Sequence, residues 1–146
     1  MGTVALRGRV ITGHREGAAF TQLPWVRTQF GERLGIDPFP GTLNLWLDEP
    51  AELEKWSRLK ENSGVRIEPV SPDFCEAKGF PAMVVKPGSP LNSQDYSQPA
   101  AIILPDVSGY PNAQVELIAS VSLRDTLGLR DGDILSVHVE VGGGRG

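Results

Sequence analysis

Apolar and polar residues alternate most strictly in Thr42-Leu43-Asn44-Leu45-Trp46-Leu47. A two-residue period puts Leu43, Leu45 and Leu47 on one face of a short strand, and Thr42, Asn44 and Trp46 on the other. The same reading predicts strands at 4–12, 65–70, 82–86, 100–104, 115–119 and 134–141. Two segments have a helical period instead. Pro24 suits a first helical position, Val26, Phe30 and Leu34 recur at i, i+4 and i+8, and Gly35 supplies a stop, so 24–34 is predicted as an amphipathic helix. Asp48 as cap, with Pro50 behind it, opens a second helix carrying Leu53, Trp56 and Leu59 on one side. Ser122-Leu123-Arg124-Asp125 has the form of a capping box opening a helix of one or two turns. Residues 87–99 are loop by composition, and 142–146 form a flexible glycine-rich tail.

Many short strands with turn signals between them, and no repeated strand-helix alternation, predict a mainly β domain with short peripheral helices. Periodicity alone leaves a closed barrel and a β-sandwich both open. The chain of 146 residues fits one domain over 1–141. At 40% hydrophobic and 22% charged it has the composition of an ordinary globular protein. No apolar run is long enough to span a bilayer and no basic-plus-apolar leader is present, so a cytoplasmic location without membrane partners is expected. A net charge of −4 argues against a protein that lives on nucleic acid. The single cysteine, Cys75, excludes an internal disulfide and a CxxC metal site.

Within this frame a few positions carry chemistry. Thr42 and Asn44 offer a hydroxyl and a carboxamide on one strand face just after Pro40-Gly41, neutral oxygens of the kind Mg²⁺ accepts beside waters and phosphates. They also read as polar residues facing water. The Gly13 to Gly17 loop follows a strand, and its glycines would let backbone amides approach phosphate; as a bare turn it needs no ligand. No Gly-Lys-Ser/Thr follows, so it is not a Walker A loop. Glu116 alternates with apolar neighbours and is either a solvent-facing carboxylate or a site residue. The start of the helix at Ser122 offers free amides to an anion. Asp131-Gly132-Asp133 reads as a structural turn that starts the last strand. His14 and His138 do not form a metal pair by spacing, and Trp25, Trp46 and Trp56 read as core or rim.

Three blocks, in order, resemble the CTP-dependent riboflavin kinase family known mainly from archaea. They are Leu6 to Gly13 with the following His14-Arg15-Glu16-Gly17-Ala18-Ala19-Phe20, then Pro-Phe-Pro-Gly-Thr-Leu-Asn at 38–44, then Val115 to Ala119 leading through Leu123-Arg124 to Asp131-Gly132-Asp133. The resemblance spans about residues 6–139 and implies a six-stranded barrel of the cradle-loop type. It implies phosphorylation of riboflavin to FMN with CTP as donor and CDP released, and small-molecule partners only. It assigns Gly13, His14, Arg15, Glu16, Gly17, Ala18 and Ala19 to the nucleotide phosphates, and Val121, Ser122, Leu123 and Arg124 to the cytidine nucleotide. Tyr110 and Asn112 would contact flavin, Glu116 would orient or deprotonate the acceptor hydroxyl, and Thr42 and Asn44 would hold Mg²⁺ or a similar divalent cation. Arg15 stands at the family's second glycine, Ala18-Ala19 replace its bulky residue, Ser120 replaces a proline and Pro111 a small polar residue. Arg15, Ser120 and Pro111 keep open a nucleotide- or flavin-binding module of the same fold without turnover. A DNA-binding relative also stays open, since cradle-loop barrels include transcription factors, although the acidic charge and the intact Gly-Thr-Leu-Asn motif count against it.

Overall fold

The computed structural model describes residues 2–12, 21–62, 64–69, 76–87 and 96–141. The loop at 13–19, Cys75, residues 88–95 and the tail at 142–146 lie outside them. Strand β1 (Gly2–Ile11) is followed by helix α1 (Pro24–Gln29), which runs into a π-helical turn at Phe30–Leu34. Then come β2 (Leu43–Trp46), α2 (Pro50–Leu59), β3 (Val65–Ile67), β4 (Ala77–Lys86), β5 (Tyr96–Pro105), β6 (Gln114–Ile118), α3 (Leu123–Leu127) and β7 (Ile134–Val141). Every strand pair is antiparallel, in the order β3-β4-β5-β6-β2-β1-β7, and β7 pairs back onto β4. Six strands therefore close a ring, which is not a regular barrel, and β3 lies beside β7 along one edge of β4.

Alternation divides the apolar residues between two cores. Inside the ring, Leu6, Val10, Leu43, Leu45, Phe80, Val84, Ile102, Val115, Leu117, Leu135, Val137 and Val139 pack with Trp56 and Leu59 from α2. Ile103, Ala101 and Ile118 point the other way and are covered by Val26 and Phe30. The run Ala100–Ile103 is thus buried on both faces, which is why it reads as continuously apolar.

Several expected boundaries change. The predicted helix at 24–34 is α-helical only to Gln29, and its last turn is π-helical; Gly35 caps it with φ 69°, as its glycine led us to expect. β4 begins at Ala77 rather than 82, and β5 takes Tyr96, Ser97, Gln98 and Pro99 out of the predicted loop, because a ten-residue ribbon pairs Ala77 with Pro105 through Lys86 with Tyr96. The prolines tolerate this. Pro81 falls between the β3-paired and β7-paired parts of β4, and Pro99 precedes the part of β5 that pairs with β6.

Asp48 does not cap α2. Glu49 takes that position without a side-chain cap, and Asp48 instead receives Arg9 Nε at 2.9 Å. The helix earns its position through Glu52, a buried residue the apolar pattern gave no reason to single out. Its Oε1 accepts from Arg7 N at 2.7 Å, while Lys55 Nζ donates to Ala5 O at 2.5 Å and lies 3.0 Å from Glu52. Arg7 N and Ala5 O belong to β1 beyond its pairing with β2, so two helix side chains stand in for a missing strand.

Candidate active site

Register brings the first candidates together. Asn44 of β2 is the cross-strand partner of Glu116 of β6, and Glu116 in turn faces Ile103 of β5. All three lie on the outer face of the ring, since their neighbours Leu43, Leu45 and Leu117 fill its interior. Thr42, two residues before Asn44, donates its hydroxyl to Glu116 Oε1 over 3.3 Å, and Asn44 Nδ2 reaches Thr42 Oγ1 at 3.5 Å. Asn44 is only 5% exposed. Thr42 and Asn44 therefore do not simply face water.

The other carboxylate oxygen is held from a loop. Tyr110 OH donates to Glu116 Oε2 at 2.5 Å and accepts from Gln114 Nε2 at 3.3 Å. A turn closed by Tyr110 N on Val107 O, with Gly109 at φ 83°, reverses the chain and brings the ring back over β6. Burial, reinforced by the Glu116 carboxylate, pushes the Tyr110 hydroxyl well above the ordinary phenol range. Asn112, on the same loop, is exposed, and no described hydrogen bond ties it to this network.

Val121, Ser122, Leu123 and Arg124 line a second feature. Together with 39–43, Leu117 and Ala119 they enclose a cleft of about 230 Å³, with Thr42 on its wall. Ser122 Oγ accepts from Asp125 N at 3.2 Å, the predicted cap. Ser120 Oγ accepts from Asp37 N at 3.2 Å. Arg124 Nη2 is 3.3 Å from Ile11 O and 2.6 Å from Asp131 Oδ1, and Thr12 Oγ1 donates to the other oxygen of Asp131. The Asp131-Gly132-Asp133 turn does begin β7, but Asp131 also ties the cleft's arginine to Thr12, just past the end of β1. That coupling was not legible in sequence; only the proximity of Leu123-Arg124 to the turn hinted at it. The hydroxyl of Thr12 holds the Asp131 carboxyl below the usual carboxylate range, with Arg124 adding to the effect.

Among the described residues no cluster of three or more His, Cys, Asp or Glu side chains is arranged for a metal. Thr42 and Asn44 instead offer neutral oxygens beside one carboxylate. The donor chemistry fits a hard cation that keeps waters and phosphates as its other ligands. The amide nitrogen of Asn44 now faces Thr42, and a half-turn of the amide exchanges it for Oδ1.

The family model for the CTP-dependent riboflavin kinase domain, described as a domain of unknown function (DUF120), matches residues 10–139. This chain belongs to that family. A riboflavin kinase of Archaeoglobus fulgidus is 38% identical over 141 residues, covering 94% of this chain and 55% of the relative. One from Methanocella arvoryzae is 38% identical over 142 residues, covering 95% and 58%, and one from Ignicoccus hospitalis is 35% identical over 139 residues, covering 93% and 71%. The chain spans a little over half the length of the first curated relatives it matches. None of the described helices is long and apolar enough to cross a membrane.

Proposed function

We propose that this domain phosphorylates riboflavin, transferring the terminal phosphoryl group of CTP to the ribityl hydroxyl to give FMN and CDP. The observation that carries the reading is the bridge Thr42–Glu116–Tyr110, a carboxylate held by a hydroxyl from the cleft beside Val121 to Arg124 and by another from the turn at Val107 to Tyr110. Phosphoryl transfer asks little covalent work of a protein. It needs phosphates held, charge neutralised and an alcohol aimed in line.

In this reading the cytidine nucleotide occupies the cleft, with Arg124 held ready by Asp131. Residues 13–19 present backbone amides, and Arg15 a guanidinium, to the phosphates. Thr12, the residue before them, donates its hydroxyl to Asp131. Thr42 and Asn44 would hold Mg²⁺ or a similar cation, which when bound offsets the negative charge of the phosphates. Glu116 accepts the hydrogen bond of the acceptor hydroxyl and receives its proton as the oxygen attacks the terminal phosphorus and the bond to the bridging oxygen of CDP breaks. The partners are small molecules, and the location is cytoplasmic.

The test is FMN formation from riboflavin with a divalent salt and either CTP or ATP, read by separating the flavins. We expect FMN with CTP and far less with ATP. Equal rates with both donors, or no FMN with either, sink the assignment. Tight CTP or FMN binding without turnover points to a binding module of the same fold.

A further inference from the structure

The two hydroxyls that donate to Glu116 belong to the walls of two different cavities. On the Thr42 side is the cleft of about 230 Å³. On the Tyr110 side is a larger pocket of about 630 Å³, walled by Lys60, Lys78, Leu104, Asp106, Val107 and Tyr110. One carboxylate oxygen is claimed from each side, Oε1 by Thr42 and Oε2 by Tyr110. We infer that Tyr110 is a positioning residue: together with Thr42 it fixes the orientation of the Glu116 carboxylate, so that one free lone pair faces the reacting hydroxyl. This inference rests on the kinase reading above.

The physical case has three parts. A carboxylate side chain alone rotates among orientations, and two donors from opposite sides leave it one. Tyr110 is suited to this task because it is a donor at every working pH. Its buried hydroxyl, facing Glu116, does not ionise in the physiological range, so it neither competes as a base nor repels the carboxylate. Finally, its own oxygen is occupied by Gln114 Nε2, which directs the phenolic proton to Glu116.

Two measurements on the whole chain test this. In kinetics with riboflavin and CTP varied separately, Tyr110→Phe should lower kcat by about tenfold or more while both KM values stay within about threefold, the pattern of a lost transition-state interaction. A raised riboflavin KM with unchanged kcat would make Tyr110 a plain contact and overturn the inference, as would no change at all. The second measurement does not need turnover. In thermal melts, Tyr110→Phe should lower the melting temperature of the wild type but raise that of Glu116→Leu, because in the latter it removes a buried hydroxyl left without its acceptor. The same effect in both backgrounds means that Tyr110 does not act through Glu116. If the wild type makes no FMN, the kinase reading fails, while the melts still decide whether Tyr110 holds Glu116.

Discussion

Asn44 is the most constrained polar residue of the site, since it is nearly buried and directly opposite a carboxylate. Its amide serves Thr42, and Thr42 serves Glu116, so the three side chains orient one another. Replacing Asn44 by leucine removes an amide from a face that already carries Ile103 and Ile118, and stability should change little. Replacing Thr42 by valine takes a donor from Glu116 and an acceptor from Asn44, and should cost about 1–3 kcal/mol. Both variants should lose at least the roughly 10–100-fold in turnover typical of disturbed metal surroundings. Kinetics and melts on the same two proteins check this, and retention of activity in either would remove them from the cation site. That Thr42 and Asn44 share a face was legible from spacing alone, because strand side chains alternate. That Tyr110 reaches the same carboxylate was not, because it depends on a reversal at Gly109 whose direction in space no local pattern states.

Helix α2 is an edge cover as much as a core element. Trp56 and Leu59 seal the ring, while Glu52 and Lys55 satisfy β1 backbone groups that β2 is too short to reach. Glu52→Ala leaves Arg7 N without its acceptor and Lys55 without its partner carboxylate. The expected loss is about 1–3 kcal/mol in denaturant unfolding, with KM and kcat unchanged because the site is on another face. A variant as stable as the wild type would mean that water replaces the carboxylate fully. The helical period identified the apolar side of α2. It gave no account of Glu52, since an acidic residue in a first helical turn is ordinarily explained by the helix dipole.

The whole molecule is closed by strand pairs and pinned at the surface by two acidic anchors. Asp48 grips Arg9 at the start of α2, and Asp131 grips Thr12 and Arg124 beside the cleft. Both carboxyls are held below their ordinary range, Asp48 by its hydrogen bond from Arg9 and Asp131 first by Thr12 and then by Arg124. A depressed carboxyl stabilises the fold fully above the unfolded value of about 3.9, and that contribution is lost as pH falls through the lower folded value. The melting temperature should therefore hold steady down to about pH 4 and fall below it. With Asp48→Asn and Asp131→Asn combined, the acid limb should be shallower. An unchanged limb would show that other carboxylates carry the acid sensitivity.

By itself the sequence determined that the chain is mainly β, which faces of β2 and β6 are apolar, where α1 and α3 begin, and which family its motifs resemble. These properties are local: they follow from side-chain period, capping chemistry and turn residues a few positions apart. Only the tertiary structure decided that β7 closes on β4, that a proline-containing segment at 96–99 joins a ribbon, and that Asp131 serves Arg124. It alone also showed that Thr42, Glu116 and Tyr110 form one hydrogen-bonded bridge. Each of these depends on backbone groups or charges far apart in the chain finding one another. The free energy that selects them comes from pairing and burial across the ring, not from the residues' own neighbours.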